Sequence, residues 1–124
     1  MPVLTAPPAP THELGATRFT SLATPSRGSQ DTSVWSVEIA PDTPATPHSL
    51  TREEIFVVLA GKASVQIGQA SHTATVGDAI VVPPDVEFAL ANDGDEPLRL
   101  LCCLPVGGQA RMGGGEPFTP PWAE

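Results

Sequence analysis

Between Thr17 and Leu104 the chain breaks into short runs rich in Val, Ile, Phe and Thr, separated by Gly, Pro, Asp and Asn. No run sustains a helical period for three turns. A helix must repeat its apolar stripe over several turns to bury one face, whereas a strand needs only alternation over a few residues. The pattern therefore predicts an all-β chain. Its expected strands are Thr17 to Leu22, Ser33 to Ala40, Glu54 to Ala60, Ala63 to Ile67, His72 to Val76, Ala79 to Val82, Val86 to Ala91 and Leu98 to Leu104. About eight short strands suit a sandwich or jelly roll. Ala60-Gly61-Lys62, Ile67-Gly68-Gln69 and Asn92-Asp93-Gly94-Asp95 carry the permissive residues of tight turns, which predicts a topology dominated by hairpins.

At 124 residues the chain can enclose one core and not two. The expected division is a flexible Pro-rich tail over 1–16, a barrel over 17–106 and a Gly/Pro-rich tail over 107–124. Met1 to Pro10 holds four prolines and little that nucleates a core. The other tail is flexible at Gly107-Gly108 and Gly113-Gly114-Gly115, then stiff through Pro117 to Trp122. Its two large rings, Phe118 and Trp122, are expected to dock on the barrel wall or on a second subunit.

With 14 Asp and Glu against 6 Lys and Arg, the chain should be repelled by phosphate backbones and anionic membranes, so no nucleic acid and no membrane partner is expected. No apolar run approaches the roughly 20 residues that span a bilayer. The amino terminus lacks the charged-then-apolar order of a signal peptide, and a cytoplasmic protein is expected. Cys102 and Cys103 are adjacent on one expected strand and point to opposite faces, which predicts reduced, structural thiols.

The stretch from Pro47 to Asn92 carries the functional signal. His48, Ser49, Leu50, then Glu54 and Gly61 stand in one spaced set, and Gly77, Pro83, Asp85, Phe88 and Asn92 in a second. The two sets resemble the paired motifs of the cupins. The resemblance runs from near Ser33 to about Val106 and implies a jelly-roll β-barrel (double-stranded β-helix). In metal-binding cupins two first-motif histidines, the glutamate and a second-motif histidine hold iron, manganese, nickel or zinc. Only His48 and Glu54 carry over onto those positions. Leu50 and Phe88 occupy the other two and have no lone pair to give. The resemblance thus implies no confidently assigned cofactor, at most a weak divalent metal held by His48 and Glu54. Asp85 and Glu87 are close enough in sequence to add a ligand, although Glu87 should face away from Phe88. His72 and His12 are expected to be solvated.

Strand alternation places Glu54, Phe56 and Val58 on one face and Ile55, Val57 and Leu59 on the other, and it groups Phe88 with Leu90. Following the resemblance, Leu50, Phe56, Val58, Phe88, Leu90 and Trp35 are expected to line an apolar cavity holding one carboxylate and one imidazole. For Trp35, packing in the core or at an interface competes with that role. Arg52 and Glu53 are expected at the rim. Burial raises a carboxyl pKa and a nearby imidazole lowers it, and either balance leaves Glu54 a usable acid or base with His48 as its partner.

The expected function is a small-molecule-binding cupin. One reading makes it a metal-independent isomerase, dehydratase or cyclase that moves a proton on a largely apolar substrate. Two others stay open: a non-catalytic ligand-binding or sensor cupin, and a dioxygenase-type metal enzyme with a reduced ligand set. A homodimer is expected from the resemblance and from the second apolar face, Ile55, Val57 and Leu59.

Overall fold

The computed structural model describes residues 3–124, so Met1 and Pro2 of the expected tail lie outside the described residues. Eleven strands form in the order β1 (His12–Leu14), β2 (Thr17–Ala23), β3 (Thr32–Ile39), β4 (Ser49–Leu50), β5 (Glu54–Ala60), β6 (Lys62–Ile67), β7 (Ala70–Thr75), β8 (Ala79–Val82), β9 (Phe88–Asn92), β10 (Leu98–Pro105) and β11 (Ala110–Arg111). Every expected strand is present. They build a six-stranded sheet, β1-β2-β3-β10-β5-β8, and a three-stranded sheet, β7-β6-β9. The pair β11-β4 extends the smaller sheet, because His48 and Phe88 form an antiparallel bridge.

The two sheets face each other as a jelly roll, and the alternation of each strand decides what lies between them. On the large sheet Ser33, Trp35 and Val37 stand beside Leu104, Cys102 and Leu100, which continue across to Phe56 and Val58 and then to Ile80. Trp35, Val58, Leu98, Leu100, Cys102 and Leu104 are all buried there. The small sheet contributes Ala63, Val65, Ala74 and Phe88, and Leu50 joins from β4. Each such apolar side chain removed from water stabilises the fold by about 1.5–3 kcal/mol before conformational entropy is charged against it.

Hairpins do not dominate the topology. β6 and β7 form the expected hairpin around Gly68-Gln69, with Ile67 opposite Ala70 and Gly68 at φ 58°. The Gly61 turn instead carries the chain from β5 in the large sheet to β6 in the small one, and Asn92 to Asp95 carries it back toward β10. Gly61 has φ 86°, and a Cβ there would lie 2.8 Å from the carbonyl oxygen of Pro97, so this corner has room only for glycine. Asn92 fastens the second corner: its amide donates to the carbonyls of Ile39 (3.0 Å) and Glu96 (2.7 Å), and its Oδ1 accepts from the Gly94 N–H at 2.9 Å. The motif asparagine therefore ties the two sheets together.

Both tails are more ordered than a sequence rich in Pro and Gly suggests. His12–Leu14 pairs with β2 as an edge strand within the segment expected as tail. Before it, Arg27 anchors the chain by donating to the Thr5 carbonyl at 2.7 Å. At the other end the chain docks on its own barrel. The Trp122 ring stacks on Phe19 with centroids 3.6 Å apart and planes 6° from parallel. Ser21 and Ser33 donate their hydroxyls to the carbonyls of Trp122 and Ala123, each at 2.8 Å. Cys102 is buried and Cys103 half-buried, and both are free.

Candidate functional site

His48, Leu50 and Phe88 meet where β4 joins β9, Glu54 stands at the start of β5, and the other expected site residues lie further along the strands. His48 is held by two different restraints. Its main chain exchanges hydrogen bonds with Phe88, the His48 N–H donating to the Phe88 carbonyl at 3.0 Å and the reverse bond measuring 2.8 Å. Its ring Nδ1 lies 2.9 Å from the Thr46 carbonyl. A carbonyl can only accept, so Nδ1 carries a proton, and in the neutral ring Nε2 keeps its lone pair. The ring is tilted against that of Phe88, with centroids 4.4 Å apart.

Glu54 comes from the opposite sheet, at the first position of β5, and is only 4% exposed. Loss of hydration disfavours its charge and pushes its pKa from 4.5 to about 8. At neutral pH the side chain is therefore mostly a neutral carboxylic acid with a proton available to donate. Burial also raises the thiols of Cys102 and Cys103, with the Glu54 charge adding to the rise when it ionises. Among the described residues no hydrogen bond or ion pair joins His48 to Glu54. The two groups do not satisfy each other.

Phe56 lies near Phe88, centroids 5.8 Å apart, and Leu50, Val58 and Trp35 belong to the same buried cluster, with Leu90 packed at its margin. The structure thus brings together all the expected lining residues. They fill the interior and touch one another, with Leu50 and Phe88 each 2% exposed and Val58 fully buried. Arg52 and Glu53 are exposed at the rim. Asp85 is exposed at φ 61° and faces Arg111 at 3.9 Å, and Glu87 is exposed. Neither turns inward. Among the described residues no three His, Cys, Asp or Glu side chains converge to hold a metal ion. A catalytic metal normally takes three protein ligands, so the donors present do not fit one.

Three contributors were not legible as site residues. The Thr46 carbonyl sets the imidazole tautomer, and a main-chain group leaves no trace in residue type. Cys102 stands on the inner face opposite Phe56, which the alternation Leu98, Leu100, Cys102, Leu104 does encode. Thr51 accepts the Gln109 N–H on its hydroxyl at 2.8 Å and donates its own N–H to the Gln109 carbonyl at 2.9 Å, so the carboxy-terminal segment braces the strand that carries the site.

A two-sheet jelly roll with this motif geometry defines the class of small β-barrel domains built around a central cavity or core. A family model for the cupin domain matches residues 35–104, more than half of the chain, and the protein belongs to the cupin family. It is 26% identical to a cupin-like protein of Thermotoga maritima, covering 80% of this chain and 77% of that one, with a TM-score of 0.71. The polyketide cyclase RemF of Streptomyces resistomycificus has the same fold, with a TM-score of 0.67 at 19% identity over 82% of this chain and 73% of that one. An uncharacterized protein of Methanocaldococcus jannaschii is 34% identical over 53 residues, which are 43% of this chain and 42% of that protein. The match thus spans less than half the length of that curated relative. Among the described residues no helix is long and apolar enough to cross a membrane.

Proposed function

We propose that this cupin binds a largely apolar small molecule at the His48 and Glu54 end of its barrel and moves a proton on it without a tightly held metal. The reaction class is isomerisation, dehydration or ring closure. One observation carries the reading: a glutamic acid kept neutral by burial on the inner face of an apolar sheet. Such a group costs stability, and catalytic acids are commonly tuned toward neutral pKa in this way. Protonated Glu54 would donate to a carbonyl oxygen while His48 Nε2 removes a proton from the adjacent carbon, giving the enol with no net gain or loss of protons. The two groups arise from opposite sheets, and a substrate that displaces Leu50 or Phe88 would have to reach both. The fold shared with a polyketide cyclase is consistent with ring closure as one outcome of such enolisation.

The packing of Leu50 and Phe88 favours a second reading, a binding protein without catalysis, since a substrate must push those side chains aside to reach Glu54. The two readings part in heavy water. Enolisable aryl ketones incubated with the protein in D2O should acquire deuterium at the carbon beside the carbonyl, followed by NMR, and Glu54→Gln should abolish the exchange while leaving ligand binding in place. Exchange that survives in Glu54→Gln rejects Glu54 as the acid. Binding without exchange in the wild type establishes the non-catalytic reading.

A further inference from the structure

The two lateral sides of the sandwich are finished differently. On the side of β1 and β2 the chain seals the gap with its own carboxy terminus, where Trp122 lies on Phe19 and Ser21 and Ser33 hold the last carbonyls. On the other side the sheets end in β8 and β7, each paired along one edge only. Between those edges lies a slot of about 400 Å³, inside the range of about 300–1,000 Å³ typical of small-molecule sites.

The slot opens onto the inner faces of both sheets. Ile80 stands opposite Phe56 on the large sheet, and Val65 stands opposite Leu90 and His72 on the small one, with Ile67 and Ala74 sharing that face. His72 is therefore directed to the inner side of β7 even though it is exposed, and it lines the slot together with Asp78. Asp78 is already engaged: its Oδ2 accepts the Thr75 N–H at 2.8 Å. An anion would meet that carboxylate and a chain of net charge −8, so the charge pattern disfavours an acid. Along β8 a peptide strand would find only four residues to pair with before Pro83 and Pro84.

We propose that this slot is a second small-molecule site, taking a neutral, compact apolar ligand with one hydrogen-bonding oxygen. The apolar body lies on Val65, Ile67 and Ile80, and the oxygen meets the His72 imidazole. The site is independent of the Glu54 reading and does not require a reaction at the barrel end.

The test uses the full chain and the neutral naphthyl ketone 6-propionyl-2-dimethylaminonaphthalene, whose emission shifts to the blue in an apolar site. Saturable binding at one probe per chain is expected. Ile80→Trp, which fills the floor, should weaken binding at least tenfold, and His72→Leu should weaken it about threefold to tenfold. Leu59→Ser, on the outer face of β5 and outside the slot lining, should leave it unchanged. Should Ile80→Trp lose the wild-type circular dichroism or cooperative melt, Ile67→Trp at the slot edge gives the same reading. Absence of saturable binding, or binding indifferent to both tryptophans, overturns the proposal. Binding that disappears on dilution, together with a fall in sedimentation coefficient, assigns it to an interface between copies.

Discussion

Phe88 packs directly against His48: their rings lie 4.4 Å apart and their main chains are joined by two hydrogen bonds. The imidazole is thus oriented by a carbonyl on one side and an aromatic wall on the other. The position at which the resemblance to metal-binding cupins implies a ligand carries a phenyl ring in the packed core.

That relationship predicts the result of placing imidazoles at both apolar positions. The Leu50→His, Phe88→His double variant should gain stoichiometric Zn, Ni or Mn after dialysis, measured by elemental analysis, and its melting temperature should rise with added metal. The wild type should show neither. Stoichiometric metal in the wild type that His48→Ala removes would make a Lewis-acid reaction the leading mechanism.

Glu54 makes stability depend on pH in a defined direction. Below about pH 4.5 the folded and unfolded chains both hold its proton, and burial of the neutral acid carries no ionisation penalty. Between about 4.5 and about 8 the unfolded chain loses the proton and the folded chain keeps it, so stability falls as pH rises, by up to about 1.4 kcal/mol per unit. Above that range the loss levels off. Glu54→Gln removes the titration, so urea unfolding at pH 8 should find it more stable than the wild type. The difference should vanish near pH 4.

Trp122 acts as a plug for one side of the sandwich. Trp122→Ala should cost about 2–4 kcal/mol in urea unfolding, because it removes a large ring stacked face to face on Phe19. A double-mutant cycle with Phe19→Ala should show strong non-additivity, since either truncation already destroys the stack.

The outer face of the large sheet is divided. Arg18, Glu38 and Arg99 stand in register at one end, with Arg18 and Glu38 3.9 Å apart. Around β5 and β8, Leu59, Val76 and Val81 are 42%, 63% and 51% exposed, next to half-buried Ile55 and Val57. We expect a second copy of the chain to cover this uncharged half. Sedimentation should find a reversible dimer, and Val81→Asp with Leu59→Asp should return it to monomer with the fold intact. A wild type that stays monomeric at high micromolar concentration would reject the dimer.

The sequence by itself determined the eight longer strands and which of their residues face inward. Alternation is a property of the extended backbone, so Phe56 and Val58, or Leu100 and Cys102, share a face whatever the topology. The spaced His48, Glu54, Phe88 and Asn92 also pointed correctly to the family. Other features depended on contacts between distant segments. Gly61 looks like a hairpin residue, and only its approach to Pro97 shows that it turns a corner between sheets. His12–Leu14 is too short and polar to announce a strand, yet the free edge of β2 recruits it. Above all, the proton held by Glu54 and the tautomer of His48 are set by the loss of water around one and a main-chain carbonyl beside the other, and neither exists until the sheets close.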